Sequence, residues 1–226
     1  MMLSRTLFIT LTCCLLISGV FAQDRPPDPP RPISSEVLKS RASAIDIYGE
    51  LAGHEYRNKF FGFTFVLPEH FSILNRTELE LYSKAGAEIV GGDESSRSQR
   101  FEQGVKDTIV LFAATYTPEE PAKLAAVEIV AVKQPDNATA NLALAASVRL
   151  MTETGKYTVT ESLNPKMIGG REFVGVEYET TAFGISMRQR TYATMRNGYS
   201  LFVSFVYLSP EGLATLENAV EGFQFN

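Results

Sequence analysis

The sequence predicts an α+β fold in which an antiparallel β-sheet is covered by helices on both faces. The run YSLFVSFVYL at 199–208 is apolar at odd and at even positions, which predicts a central strand covered on both sides. Asn197-Gly198 comes directly before it and favours a type I′ hairpin turn, because both residues tolerate positive φ. Two amphipathic segments, at 137–154 and after Ser209, predict helices.

The C-terminal third is predicted to be a β-meander of four strands. If Phe183-Gly184 forms the turn between the second and third strands, Glu177 faces Arg190 and Glu179 faces Arg188. Opposite charges then pair across the strands, which supports this register. The predicted strands are Tyr157–Glu161, Lys166–Thr181, Ile185–Arg196 and Tyr199–Leu208.

A phenylalanine-rich segment near residue 60 predicts a further strand. Phe61, Phe63, Phe65 and Leu67 alternate along the chain, so they share one face. Burying four such side chains contributes on the order of 8 kcal/mol, which favours a place in the core over a ligand-binding platform. Further elements predicted from the pattern are a helix at Thr77–Val90, strands at Thr108–Tyr116 and Ala125–Gln134, a helix capped by Asn137 or Thr139, and a closing helix with Ser209 as N-cap and Pro210 at N1.

The first 22 residues have the pattern of a cleaved signal peptide. Arg5 precedes an apolar run, and Ala22 supplies the small residue before the cleavage point. The run is short for a transmembrane helix, although a retained N-terminal anchor is the alternative. We therefore expect an exported protein, in the periplasm or secreted outside the cell, with no membrane span after signal cleavage.

Three further regions follow the signal peptide. Residues 23–33 form a proline-rich linker, read as a semi-rigid spacer or as a PxxP ligand. Residues 34–54 form an N-terminal extension with a helical pattern from Ser34 to about Leu51, and residues 55–226 form the main domain. The polar stretch GDESSRSQRFEQGVKD at 92–107 predicts a long loop. Within it the candidate partner-binding residues are Asp93, Glu94, Arg97, Arg100 and Phe101.

The sequence offers little catalytic chemistry. Cys13 and Cys14 lie inside the signal peptide, so the mature chain has no disulfide and no thiol nucleophile. His54 and His70 are the only histidines and have no metal-binding spacing. We predict no catalytic, cofactor-binding or metal-binding residues, and the net charge of −5 disfavours nucleic acid as a partner.

Two groups of residues carry a family resemblance. The first is Tyr56, Asn58, Gly62, Phe63, Phe65 and Pro68, and the second is Gly169, Gly170, Phe173 and Tyr178, followed by Asn-Gly-Tyr and a closing helix with Phe-x-Phe. Over about residues 55–226 the chain resembles the PsbP/Mog1-like superfamily. The resemblance implies an α/β/α sandwich and a non-catalytic scaffold that binds something, often another protein.

Three functions are weighed on these grounds. The first is an exported non-catalytic binding or assembly-factor domain whose partner is an unknown protein in the envelope or outside the cell. The second is a small-molecule or lipid carrier with a pocket between sheet and helices. The third is a hydrolase that uses Glu177 and Glu179 as an acid/base pair, although arginine neighbours would hold both carboxylates ionised.

Overall fold

The computed structural model describes residues 47–81, 108–153, 155, 157–182 and 185–226. These ranges contain strands in two antiparallel sheets and helices on their faces. The strands are β1 (Glu50–Ala52), β2 (Glu55–Asn58), β3 (Phe63–Val66), β4 (Phe71–Ile73), β5 (Thr108–Tyr116), β6 (Ala125–Lys133), β7 (Tyr157–Ile168), β8 (Arg171–Ala182), β9 (Ile185–Arg196), β10 (Tyr199–Tyr207) and β11 (Phe223–Phe225). The helical elements are 76–81, a 3-10 turn at Pro121–Lys123, α1 (Ala140–Glu153) and α2 (Pro210–Val220).

The large sheet has the strand order β4-β5-β6-β10-β9-β8-β7. The strand predicted to be central, β10, lies between β6 and β9 and is buried along nearly its whole length. The Asn197-Gly198 turn has the positive φ angles that the prediction requires, 51° and 78°. The predicted register between β8 and β9 is confirmed, since Glu177 pairs with Arg190 and Glu179 with Arg188.

Two core clusters lie on opposite faces of this sheet. Met151 of α1 packs in the same cluster as Phe202 of β10, whereas Leu216 of α2 packs with Phe205 on the other face. The α+β class is therefore confirmed. The second face is covered by α2 together with the small sheet. The predicted covering of both faces by helices is therefore only partly found in the described residues.

The small sheet has the order β1-β2-β3-β11 and brings the phenylalanine-rich segment into the core. Phe61, Phe63, Phe65 and Leu67 are all buried, which confirms the core interpretation. The Phe63 and Phe223 rings stack with centroids 4.7 Å apart, so the C-terminal Phe-x-Phe belongs to this sheet.

The small sheet contacts the large sheet at the β7–β8 turn. Gly169 has a φ of +56°, and a Cβ atom there would lie 2.8 Å from the Phe223 carbonyl oxygen. The Phe225 amide donates a hydrogen bond of 3.1 Å to the Gly169 carbonyl. Only glycine fits this contact, because it has no Cβ and tolerates positive φ.

Two sequence predictions are wrong, one for the strands β7 and β8 and one for β1. The predicted strand Tyr157–Glu161 and the first residues of the predicted strand Lys166–Thr181 form the single strand β7, and the rest of Lys166–Thr181 forms β8 after the Gly169-Gly170 turn. Register shifts at Val159/Glu161 and Leu163/Lys166 interrupt the alternation of side chains, so the strand looked broken. Residues 50–52 form β1 through pairing with β2, where a helical pattern was predicted, because tertiary pairing overrides a weak propensity.

The predicted helix starts are confirmed by their capping contacts. The Thr139 hydroxyl accepts from the Leu142 amide at 3.3 Å, and the Ser209 hydroxyl accepts from the Gly212 amide at 3.2 Å with Pro210 at N1. The helix predicted at Thr77–Val90 is described only over 76–81, and its remainder lies outside the described residues. So do the predicted signal peptide, the linker and most of the N-terminal extension, which stay predictions.

Candidate functional site

A charged cluster surrounds Glu177 on the face of the large sheet that α2 covers. The Glu177 side chain is only 4% exposed, and its carboxylate accepts hydrogen bonds from Arg190 Nε and from the Tyr207 hydroxyl, both at 2.6 Å. The Thr160 hydroxyl also donates, at 3.3 Å, and Arg188 lies 3.5 Å away. Four donors from three strands therefore surround one carboxylate.

A second carboxylate extends this charged cluster to α2. Glu217 accepts from Lys166 Nζ at 3.2 Å and from the Arg190 guanidinium at 3.3 Å. Arg190 thus bridges a buried and a half-exposed carboxylate, and it ties β9 to both β8 and α2. Sequence reasoning did not identify Tyr207 as a partner of Glu177. The signal was available, because the hairpin at Asn197-Gly198 places Tyr207 opposite Arg188.

The electrostatics of the charged cluster keep Glu177 ionised. Burial by itself would raise the pKa of the Glu177 carboxyl, but the hydrogen bonds from Tyr207 and Arg190 and the charges of Arg190 and Arg188 outweigh it, so the pKa lies below 4.5. Burial raises the pKa of the Tyr207 hydroxyl, and so does its hydrogen bond to Glu177. A carboxylate with a lowered pKa is a poor proton donor at neutral pH.

The proposed acid/base pair is not assembled by this arrangement. Glu177 is enclosed and held by arginine, whereas the Glu179 carboxylate is exposed and accepts from the Ser186 hydroxyl at 2.9 Å. Arg188 lies opposite Glu179 in the strand register, but its guanidinium points to Glu177 instead. The cluster resembles a structural ion-pair network more than a hydrolytic site.

A groove lies at the opposite edge of the large sheet, between β4, β5, the helical residues 76–81 and the N-terminal residues 48–51. Its cavity volume is about 170 Å³. The walls are mainly apolar, and one side chain in them, Leu51, is 46% exposed. The lining residues are Tyr48, Gly49, Leu51, Tyr56, Ile73, Leu74, Asn75, Arg76, Leu79, Leu111 and Phe112.

Several polar contacts fix the walls of this groove. The Arg76 guanidinium lies 3.7 Å from the centre of the Tyr48 ring, donates to Glu80 at 3.1 Å and donates to the Val110 carbonyl at 3.3 Å. The Tyr56 hydroxyl donates to the Tyr48 carbonyl at 2.6 Å. Hydrogen bonds therefore fix the walls of the groove, and among its described lining residues Arg76 is the one cation.

The groove is lined in part by the two described segments that flank the predicted partner-binding segment in the chain. Residues 76–81 and strand β5 both line it, and they are the described segments immediately before and after residues 82–107. The candidate residues Asp93, Glu94, Arg97, Arg100 and Phe101 lie outside the described residues. Sequence reasoning missed the groove itself, since no local pattern brings Tyr48 next to Arg76.

The two histidines lie in different surroundings. The His54 carbonyl accepts from the Leu67 amide at 2.9 Å, and the Nδ1 atom of its ring is buried without a hydrogen-bond partner among the described residues. The His70 ring lies against Phe71 and Tyr116 with centroids 5.1 and 4.9 Å away. Within the described ranges, no group of three or more His, Cys, Asp or Glu side chains is placed to hold a metal ion. In the same ranges no helix is long and apolar enough to cross a membrane.

No protein-family model and no curated protein matches the chain. Solved structures similar to it include cyanobacterial PsbP from Synechocystis, with a TM-score of 0.44, 11% identity and coverage of 79% of this chain and 98% of that one. LpqN of Mycobacterium tuberculosis, involved in cell envelope biogenesis, has a TM-score of 0.42, 10% identity and coverage of 73% and 83%. The immunity protein TplEi of Pseudomonas aeruginosa, complexed with a peptide, has a TM-score of 0.39 and 10% identity, and the match covers 74% of this chain and 96% of that one. PsbP shares its name with the superfamily that the sequence resembles.

Proposed function

We propose that this chain is an exported, non-catalytic domain that binds another protein through the groove and the 92–107 segment. The observation that carries the proposal is the groove itself, a mainly apolar depression bordered by the two described chain segments that precede and follow residues 82–107. Export is supported by the signal-like pattern of residues 1–22.

The size of the groove favours an anchor side chain over a lipid or small-molecule cargo. Small-ligand pockets usually enclose roughly 300 Å³ or more, and this groove has about 170 Å³. Protein interfaces concentrate their binding energy in a few side chains that fill pockets of this kind. The expected partner therefore inserts one apolar side chain between Tyr48, Leu51 and Leu79.

The charged cluster supports the non-catalytic part of the proposal. Its one buried carboxylate, Glu177, is held ionised by Arg190 and Tyr207, so it has no proton to give at neutral pH. A nucleophile would need an exposed lone pair, but hydrogen-bond donors from three strands enclose this carboxylate. These groups stabilise the sheet, and we assign the binding role to the other edge.

The test begins with cross-linked capture of a partner by residues 23–226 from an envelope extract, followed by capture with single variants. Leu51→Glu places a charge in the groove wall at a side chain that is 46% exposed, and Val66→Glu is its matched control, at 47% exposure on the same small sheet but outside the groove. We expect Leu51→Glu to lose the partner and Val66→Glu to keep it, with both melting temperatures near that of the wild type.

A second arm tests the 92–107 segment separately. Arg97→Glu, Arg100→Glu and Phe101→Ala should each weaken capture of the same partner, and deletion of 93–106 should abolish it with little change in melting temperature. Equal capture by the wild type and Leu51→Glu would refute the groove assignment. Equal capture by the deletion would refute the role of the segment. A reproducible bound mass in native mass spectrometry, with no captured protein, would favour the carrier alternative.

A further inference from the structure

A row of buried polar side chains crosses the large sheet on the α1 face. Ser204 of β10 is followed by Thr191 and Gln189 of β9 and by Tyr178 of β8, all of them buried. The strand register places Ser204 opposite Thr191 and Gln189 opposite Tyr178. The row is continuous, and it runs through a cluster otherwise made of apolar side chains such as Phe202 and Met187.

Hydrogen bonds satisfy only part of this polar row. The Gln189 amide donates to the Thr191 hydroxyl at 2.8 Å, and the Thr191 and Ser204 hydroxyls lie 3.1 Å apart. Gln189 Oε1 has no hydrogen-bond partner, and neither has the Tyr178 hydroxyl. Turning the Gln189 amide over would only exchange the ends, because one end would still lack a partner in the protein.

The two residues that carry these unpaired groups are neighbours on adjacent strands, and the groups have complementary needs. Gln189 is 2% exposed and Tyr178 is 1% exposed, and their Cα atoms are directly paired on adjacent strands, which places both side chains side by side on one face. Gln189 Oε1 needs a donor. Burial raises the pKa of Tyr178 to about 12, so its hydroxyl keeps a proton to donate.

We infer that an ordered water molecule binds between Gln189 and Tyr178, inside the interface of α1 with the sheet. Such a water donates to Gln189 Oε1 and accepts from the Tyr178 hydroxyl, which satisfies both groups at once. Buried polar groups without a protein partner are costly in the absence of a bound water, and buried waters typically bridge such groups. The site extends the hydrogen-bonded row from β10 to β8.

The Ser147 hydroxyl of α1 is the alternative candidate for a hydrogen-bond partner of the Tyr178 hydroxyl. The Ser147 hydroxyl lowers the pKa of Tyr178 against the larger, opposite effect of burial, but the Tyr178 hydroxyl has no partner in hydrogen-bond geometry. Ser147 also leaves Gln189 Oε1 unsatisfied. A water molecule accounts for both orphaned groups, whereas Ser147 accounts for at most one.

The direct test is a crystal structure of the mature protein at a resolution that shows ordered water. A density peak of one oxygen atom within hydrogen-bond distance of both Gln189 Oε1 and the Tyr178 hydroxyl is the expected result. Direct van der Waals contact between the two groups, or an empty space, would overturn the inference. Density larger than one atom, with a matching bound mass in native mass spectrometry, would also overturn it in favour of a hydroxyl-bearing ligand.

A solution test uses Tyr178→Phe in the wild-type chain and in a Ser147→Ala chain. If water bridges the site, Tyr178→Phe lowers the melting temperature by about 2–4 °C in both chains. Tyr207→Phe is the matched control, since its hydroxyl has a known partner at 2.6 Å and its loss lowers the melting temperature. An unchanged or raised melting temperature for Tyr178→Phe, or a loss that disappears with Ser147→Ala, contradicts a bound water.

Discussion

Glu177→Gln should lower the free energy of unfolding by about 2–4 kcal/mol at neutral pH. The substitution keeps the shape of the side chain and removes its charge. The Glu177 carboxylate accepts from Arg190 and Tyr207 at 2.6 Å, and a glutamine can accept only through its single amide oxygen. Its NH₂ group must then face one of the two donors.

The magnitude follows from the burial of each partner. A hydrogen bond to a charged group contributes about 1.5–3 kcal/mol, and removing one member of a fully buried ion pair costs about 3–5 kcal/mol. Here Glu177 is 4% exposed but Arg190 is 23% exposed and also bonded to Glu217, so part of its charge stays solvated or paired. We therefore expect a value below the fully buried limit.

Thermal or urea unfolding monitored by circular dichroism measures this effect. For a domain of this size, about 2–4 kcal/mol corresponds to a melting temperature lowered by roughly 5–15 °C. Glu179→Gln is the matched control, because Glu179 lies two residues further on the same strand with an exposed carboxylate and should shift the free energy by less than about 0.5 kcal/mol. If both variants unfold at the same temperature, the charged cluster does not stabilise the sheet and our reasoning is wrong.

The pH dependence supplies an independent check on the same side chain. The pKa of Glu177 is lowered in the folded protein from its ordinary 4.5, so the folded state releases this proton more readily than the unfolded state does. The stability that Glu177 contributes is therefore complete above about pH 4.5 and is lost as the pH falls through its folded pKa. The difference in free energy of unfolding between wild type and Glu177→Gln should become smaller below pH 4.5. A difference that stays constant down to pH 2 would contradict the lowered pKa of Glu177.

Three further substitutions test other parts of the fold by the same unfolding measurements. Gly169→Ala should lower the free energy of unfolding by about 2–4 kcal/mol, because its Cβ would lie 2.8 Å from the Phe223 carbonyl oxygen. Gly170 has open space around it, so Gly170→Ala should lower the free energy of unfolding by only about 1 kcal/mol, for its positive φ. Equal losses of stability in the two variants would contradict the close contact at Gly169. Ser209→Ala should cost about 1 kcal/mol through the lost N-cap, and no loss would mean that water replaces the cap. Asn58→Leu should cost about 2–4 kcal/mol, since its amide bonds the Ile47 carbonyl at 2.7 Å and the Phe61 amide at 2.9 Å; an unchanged stability would show that both groups find other partners.

Much of the fold could be predicted because the informative patterns are local. The Asn197-Gly198 turn predicts the β9–β10 hairpin from two residues, and the register counted from a turn at Phe183-Gly184 correctly placed Glu177 opposite Arg190. The burial of the Phe61–Leu67 alternation followed from its apolar area alone. Each of these inferences needs only neighbouring residues and the geometry of a strand or a turn.

The features that sequence reasoning missed depend on contacts between distant residues. Strand β1 exists because residues 50–52 pair with β2, and β7 continues through two register shifts that no side-chain alternation reveals. The groove is assembled from the N-terminal residues, β4, the helical residues 76–81 and β5. No propensity or period encodes such a meeting, so neither the groove nor the position of Arg76 over Tyr48 could be derived in advance.

The positions of the groove and the charged cluster make their roles separable. The groove lies at β4 and β5, and Glu177 lies on β8, four strand spacings from β5 in the order of the large sheet, or about 19 Å at roughly 4.8 Å per strand. Changes at sites this far apart with no shared partner usually add independently. Glu177→Gln should therefore lower stability and leave partner capture intact at low temperature, whereas Leu51→Glu should do the reverse. If Glu177→Gln abolished capture while the protein stayed folded, the binding surface would lie at the β7–β9 edge, and the groove would be only a feature of the scaffold.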